Sequence, residues 1–234
     1  MAAESGYIPA ALGKAAGDAA RTRLYLARHG ALVTSRQWRY VGHRDVALSD
    51  EGRAQIRLLE GRLAGVPIDA IYCSDLVRTV ESARLLAGAR GIAPVACPEF
   101  REINIGRWEG MTLAEILERF QEEFSERARS IGSFRVAGGE SFADVRERAL
   151  PRLKRLLREH AGGTVLLVGH GGLNRVVLCD ALGLDLNSAV RLEQTYACLN
   201  IIDYFDDYPV VQLMNETVPV RQPPHAENQP GDAT

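Results

Sequence analysis

The chain has almost no lysine. Of its 28 basic residues only Lys14 and Lys154 are Lys, and the other 26 are Arg. Thirty acidic residues bring the net charge to −2. That excludes the broad positive footprint of a nucleic-acid or anionic-membrane binder, though not a local cluster. Long apolar runs are missing too. The longest, around residues 164–168, is strand-sized, far short of the roughly 20 residues that cross a bilayer. The N-terminus lacks a charged start followed by an apolar stretch, so no secretory signal is expected. Cysteine is sparse: Cys73, Cys97, Cys179 and Cys198 lie far apart with no C-x-x-C pair. They read as reduced core residues of a cytoplasmic protein. The metal spacings H-x-H and H-E-x-x-H are absent, so no metal is called for. No G-x-S-x-G elbow exists to supply a serine nucleophile. The glycines at 169–172 lack the third glycine of a dinucleotide loop.

What is present is the balance of a soluble globular domain, 46% apolar and 25% charged. Residues 1–21, rich in Ala and Gly without periodicity, read as a loose extension. Residues 216–234, with Pro219, Pro223, Pro224 and Pro230, read as a flexible tail. Between them, 22–215 shows no internal repeat and alternates strand with helix. Short apolar strands are predicted at 24–27, 70–73, 164–168, 197–203 and 210–214. Helices are predicted from Ser49, across Leu76, Val80, Ala83 and Ala87, and from Thr112, Ser141 and Gly171. Thr112 and Glu115 form a capping box, and Leu113, Ile116, Leu117, Phe120 and Phe124 share the face of the helix it opens. Pro151, inside the helix after Ser141, predicts a kink. The order implies a three-layer α/β/α sandwich around a mostly parallel sheet.

Open α/β sheets bind ligands beyond the carboxyl ends of their strands. The residues just past each predicted strand are chemically one-sided: Arg28-His29-Gly30 after the first, Ser74 through Arg78 after the second, Arg101-Glu102 after the segment near Val95, and His170-Gly171-Gly172 after 164–168. Two His, two or three Arg and one Glu thus converge on one edge. Guanidinium groups pair with phosphate oxygens bidentately and stay charged at any working pH. Neutral imidazole is a competent nucleophile near pH 7 if its other nitrogen is held as a donor. A carboxyl group of raised pKa protonates a leaving oxygen and then deprotonates water. The set suits phosphoryl transfer and requires no metal or cofactor.

Five segments carry a resemblance: LYLARHG (24–30), SDLVRTVESA (74–83), EFREINIGRWEG (99–110), GGESF (138–142) and VLLVGHGG (165–172). Together, in order and spacing over about 190 residues, they resemble the histidine phosphatase superfamily, which includes phosphoglycerate mutases, fructose-2,6-bisphosphatases, α-ribazole phosphatases and broad-specificity phosphatases. The resemblance implies a phosphoglycerate mutase-like fold. It implies His29 as the nucleophile that becomes phosphohistidine. Arg28, Arg78 and His170 would grip the phosphoryl oxygens, Glu102 would serve as general acid and base, and the Gly171 amide would add a donor at a helix N-terminus. Ser35 stands where relatives often place a phosphate-contacting Asn, and Gly42 lies in the stretch that mutases write Phe-Thr-Gly-Trp. The mutase-like Tyr-Gly after the Glu is absent, and Gly106-Arg107-Trp108-Glu109-Gly110 is the phosphatase-like version. The runs 40–45 and 194–201 are similar to the α-ribazole phosphatase branch.

The expectation is therefore a metal-independent hydrolase of a small phosphorylated metabolite, working through phosphohistidine. A mutase-type phosphotransferase and a non-catalytic phospholigand-binding protein are the alternatives. Retention of His29, Glu102 and His170 together speaks against the binding protein, which would not need the acid. A homodimer is carried by the resemblance alone. Arg39, Arg44, Arg107 and His43 read as solvated loop residues, and Trp108 as core or pocket wall.

Overall fold

The computed structural model describes residues 21–35, 39–206 and 208–219. The expected extension at 1–21 and tail at 216–234 lie almost wholly outside the described residues. Within these residues β1 (Thr22–Arg28), β2 (Ala70–Cys73), β3 (Val95–Ala96), β4 (Thr164–Gly169), β5 (Leu199–Tyr204) and β6 (Pro209–Glu216) form one sheet, in the order β3-β2-β4-β1-β5-β6. The first four strands pair in parallel, and β5 and β6 add antiparallel pairs at one side. Five α-helices accompany them: α1 (Asp50–Arg62), α2 (Val77–Ala87), α3 (Leu113–Arg129), α4 (Phe142–Glu159) and α5 (Gly171–Leu182).

Alternation along the strands builds two cores. Leu24 and Leu26 of β1 and Val165 and Leu167 of β4 pack with Val145, Ala149 and Leu153 of α4 and Leu173, Val176 and Val177 of α5. Tyr25, Ala27, Leu166 and Val168 point the other way, onto Ile56 and Leu59 of α1 and Ala83 and Leu86 of α2. A strand covered on both faces must be apolar at every position, which is why β4 reads as a continuous hydrophobic run. The result is the three-layer sandwich expected.

Helix starts obey their caps. Ser49 Oγ accepts from the Gly52 N–H, and full capping boxes open α3 (Thr112 with Glu115) and α4 (Ser141 with Asp144). Two local expectations are corrected. Helix α4 runs unbroken through Pro151. The carbonyl that loses its donor there belongs to Glu147, an exposed residue on the outer side of the helix. The break falls instead in α3, where Phe120 leaves helical geometry (φ −142°, ψ 37°). Ile116, Phe120 and Phe124 pack together against Trp108 across the break, while Leu113 and Leu117, expected on the same face, are 39% and 40% exposed.

The sheet register positions the chemistry. Arg28 pairs with Gly169 across β1 and β4, so His29 and His170 emerge side by side one residue further on. Strand β2 ends at the same edge and delivers Ser74. Glycine is required where β1 passes the start of α1, because a Cβ on Gly30 would lie 2.3 Å from the Gly52 carbonyl oxygen.

Candidate active site

His29 is buried, and its Nδ1 lies 2.8 Å from the Gly30 carbonyl. A carbonyl oxygen only accepts, so Nδ1 carries the hydrogen and Nε2 carries the lone pair. Burial, reinforced by the positive charges of Arg78 and Arg28, holds the His29 pKa well below its ordinary value. The ring is therefore neutral at pH 7, with a free electron pair on Nε2.

His170 sits beside it, ring centroids 5.2 Å apart. Arg78 Nε donates to His170 Nδ1 (3.3 Å), which leaves the ring hydrogen on Nε2, 2.8 Å from Ser74 Oγ. The relay continues to Thr79 Oγ1 at 2.6 Å, whose own hydrogen has carbonyl acceptors. Burial, with Arg78 next, also lowers the His170 pKa well below its usual value. Arg78 is itself buried. Its Nη1 and Nη2 donate to the carbonyls of Arg44 (2.9 Å) and Gly42 (2.6 Å), tying the 42–44 loop to the site.

Arg28 Nη1 donates to the Gln194 carbonyl (2.5 Å), and its Cζ lies 4.1 Å from the Tyr196 ring centre. Its buried Nε has no hydrogen-bond partner among the described residues. An orphaned charged donor is costly to bury, and an anion in front of it would remove the cost.

Glu102 is turned inward. Oε1 accepts from the Gly172 N–H (2.9 Å), the Ile103 N–H (2.9 Å) and the Leu173 N–H (3.3 Å), and Oε2 from Gly172 alone (3.1 Å). The carboxyl group thus caps the N-terminus of α5. A Cβ on Gly172 would lie 2.4 Å from Oε1, so only glycine allows this approach. The neighbouring Arg101 pairs bidentately with Asp75 instead, at 2.6 and 2.5 Å.

Arg28, His29, Glu102, Gly171, Gly172 and Tyr196 line one cavity of about 140 Å³, which Tyr40, Phe142, Arg175 and Arg127 help to close. A larger concavity of about 510 Å³ shares Arg39 and Val41 with it but holds none of the His or Glu groups. The structure therefore brings Arg28, His29, Glu102 and Gly171 to the cavity surface. Arg78 and His170 form the layer behind it, and Gly42 contributes the carbonyl that holds Arg78. Ser35 is not brought in: its Oγ closes a turn onto the Leu32 carbonyl at 2.7 Å. Trp108 is fully buried core. His43, read as a solvated loop residue, has its Nε2 2.9 Å from the Glu102 carbonyl oxygen, steadying the acid's backbone.

Sequence reasoning did not assign Ser74, Tyr196, Arg175 or Arg127 to the site. Arg175 carries a signal, one helical turn after Gly171 and so on the same face of α5. Among the described residues no group of three His, Cys, Asp or Glu side chains is placed to hold a metal ion. All four cysteines are buried and free, and among the described residues no helix is long and apolar enough to cross a membrane.

Comparison with known proteins supplies independent likenesses. The profile of the Histidine phosphatase superfamily (branch 1) matches residues 24–217. Phosphoserine phosphatase 1 of Hydrogenobacter thermophilus is 33% identical over 195 residues, spanning 83% of this chain and 92% of that protein. Probable phosphoglycerate mutase GpmB of Yersinia pestis is 30% identical over 182 residues, spanning 78% and 85%. Among solved structures, the α-ribazole phosphatase from Shigella flexneri is similar with a TM-score of 0.76 at 25% identity, over 86% of this chain and 100% of that one.

Proposed function

The chain belongs to the histidine phosphatase superfamily and is a phosphatase, and from that premise we propose that it hydrolyses a small phosphomonoester, without a metal ion, through a phosphohistidine at His29. The observation that carries the reading is the state of His29. It is a neutral ring whose Nδ1–H is committed to the Gly30 carbonyl, and it lines one cavity with Arg28, whose buried Nε has no hydrogen-bond partner among the described residues.

In the first step Nε2 attacks phosphorus in line, the P–O ester bond breaks, and its electron pair leaves on the alkoxide oxygen. Glu102 is the general acid that supplies that oxygen's proton. Oε2 is the carboxyl oxygen with the fewer backbone donors, so it is the one that carries the proton. In the second step water attacks the phosphohistidine and gives its proton to Glu102. The P–N bond breaks, and the pair returns to Nε2 as inorganic phosphate leaves. Both steps need positive charge around the equatorial oxygens more than covalent help. Arg28 Nε and the first turn of α5 supply it directly. Arg78 acts from behind, fixing the His170 tautomer and helping to keep His29 unprotonated. This guanidinium charge does the work that a metal does in other phosphatases.

The mutase reading requires the phosphoryl group to return to a second hydroxyl. The phosphatase-like sequence at 106–110 favours water as the acceptor. Among similar proteins the named activities include phosphoserine and α-ribazole phosphate hydrolysis, and both substrates are small phosphomonoesters.

The test is p-nitrophenyl phosphate hydrolysis in excess EDTA, beside a His29→Ala variant. Full activity in chelator is expected, with a loss of at least about 10³-fold in the variant and acid-labile phosphate on the wild type after rapid quench. Activity that survives His29→Ala, or vanishes with EDTA, overturns the mechanism. Isomerisation of 3-phosphoglycerate faster than phosphate release overturns hydrolysis as the main reaction.

A further inference from the structure

The run 194–201 takes no part in the bond-breaking chemistry, yet it passes directly behind Arg28. Two contacts fix the Arg28 guanidinium. One is a point, Nη1 on the Gln194 carbonyl at 2.5 Å, and the other is a plane, the Tyr196 ring with its centre 4.1 Å from Cζ. The buried Nε, without a hydrogen-bond partner among the described residues, is left for a ligand in the cavity that Arg28 lines. Both contacts come from residues two apart in the chain, so whatever fixes that short stretch also aims the guanidinium.

A cluster of primary amides fixes it. Gln194, Asn200 of β5 and Asn174 of α5 are wholly buried. Gln194 and Asn200 face each other as a reciprocal pair, Gln194 Nε2 donating to Asn200 Oδ1 and Asn200 Nδ2 to Gln194 Oε1, both at 2.9 Å. Asn174 Nδ2 donates to the same Gln194 Oε1 (3.1 Å), and Asn200 Nδ2 also reaches the Leu26 carbonyl (3.0 Å). Gln194 is thereby tied to β1, to β5 and to the first turn of α5. Asn215 of β6 closes the outer side: its N–H donates to Asn200 Oδ1 (2.9 Å), and its Oδ1 accepts from the Thr195 N–H (2.8 Å). Two non-glycine residues here hold left-handed backbone, Ala197 and Asn215, each at φ 55°. Asparagine adopts that conformation readily and alanine does not. The strained Ala197 follows Tyr196 directly, and its N–H donates to the carbonyl of His29 at 3.0 Å.

Buried amides add little net stability over apolar groups of the same shape. What a fully connected set adds is a single arrangement. We propose that Gln194 is a positioning residue: the amide cluster holds its carbonyl and the Tyr196 ring where together they aim Arg28 Nε at the phosphoryl oxygens. This role presupposes the phosphatase reading of the same cavity and adds how its arginine is aimed. The competing role is structural, with the amides serving only the irregular pairing of β5 with β6, whose register shifts between Leu199 and Ile202.

The two roles differ in what vanadate sees. Vanadate mimics the five-coordinate phosphoryl transition state, and its Ki is measured against p-nitrophenyl phosphate in chelator-free buffer. Gln194→Met keeps the length of the side chain and removes both hydrogen-bonding ends. Its kcat/KM should fall about 10- to 100-fold, the penalty of a misplaced catalytic group, and the vanadate Ki should rise by a similar factor. A structural role would lower the folded fraction, and with it Vmax, but would leave Ki unchanged for the molecules that remain folded. Arg28→Met should cost about 10²- to 10³-fold. In that background Gln194→Met should cost less than about threefold more, because its effect travels through Arg28. Asn215→Gly keeps the left-handed backbone, which suits glycine, and removes the side-chain bonds to Thr195. It should raise the vanadate Ki about 2- to 10-fold, and it decides the matter if Gln194→Met does not fold. An unchanged vanadate Ki in the deciding variant, or a loss from Gln194→Met that is repeated in full without Arg28, overturns the positioning role. Full activity in Arg28→Met removes that arginine from the phosphoryl end and the positioning role with it, while phosphohistidine chemistry stands. A wild type that neither hydrolyses p-nitrophenyl phosphate nor binds vanadate removes the phosphatase reading and this role together.

Discussion

At the scale of single residues, the site separates groups that react from groups that hold them. His29 and Glu102 are each oriented by backbone atoms, one by a carbonyl acceptor and the other by three amide donors. Backbone partners give a reacting side chain a fixed direction without adding a second titrating group. Glu102→Gln keeps the shape and the backbone contacts but has no proton to pass between the leaving oxygen and water. The loss should therefore depend on the leaving group. For an alkyl phosphate such as glycerol phosphate we expect about 10²- to 10⁴-fold in kcat, the range for general acid–base catalysis. For p-nitrophenyl phosphate, whose phenolate departs unaided, the loss of the phosphorylation step should be smaller. Single-turnover measurement of the two substrates separates that step from hydrolysis of the phosphoenzyme. Equal losses in the first step would remove Glu102 from the acid's role.

At the scale of elements, the strand ends supply the reacting groups and the helices hold them in place. Helix α4 reaches across to the 99–102 segment through Arg148, whose guanidinium donates to the carbonyls of Glu99 (2.6 Å), Arg101 (3.0 Å) and Glu102 (2.9 Å) and pairs with Glu140. Arg148 touches no reacting atom, so it is a positioning residue. Arg148→Met keeps the stem and removes the fork. We expect kcat to fall about 10- to 100-fold, the penalty of a misplaced catalytic group, with KM little changed and with the leaving-group dependence of Glu102→Gln. A change confined to KM would assign Arg148 another role. Legibility in the sequence obeys the same division. Strand β4 is a short apolar run followed by His170, β2 is one followed by the segment that carries Arg78, and β1 is followed by a His flanked by Arg and Gly. Those side chains were readable because a parallel sheet sends its carboxyl ends to one edge. Arg127 was not readable: it is one of three Arg in α3, and the helix is interrupted at Phe120, so a helical period counted from Thr112 does not place it. Ser35 was misplaced for a related reason, since a local turn decides where its hydroxyl points and the segment's order in the chain does not.

At the scale of the whole molecule, the site leaves a mark on stability. His29 and His170 are buried side by side as neutral rings, each held well below its ordinary pKa by burial first and the surrounding arginines second. In the unfolded chain both titrate near 6.5. Below that value the unfolded state binds protons that the folded state refuses, so stability present at pH 7 and above declines as pH falls. The decline continues until the depressed folded values are reached. Each ring contributes a slope approaching about 1.4 kcal/mol per pH unit, or about 2.7 for the pair. The window from pH 6.5 to 5 isolates them. The acidic groups that the fold perturbs, Asp75, Glu115, Glu140 and Asp144, are all shifted down, Asp144 to about 2, so their linkage begins only at more acid pH. Urea denaturation of the wild type at half-unit steps in phosphate-free buffer should show this fall, and His170→Gln should roughly halve its slope. The same shift keeps the His29 lone pair available, so the phosphorylation rate should not drop through the ordinary histidine range. Stability flat from pH 6.5 to 5 would mean that at least one ring takes up its proton in the folded protein, and the neutral nucleophile on which the mechanism depends would then be lost at the mildly acid end of that window.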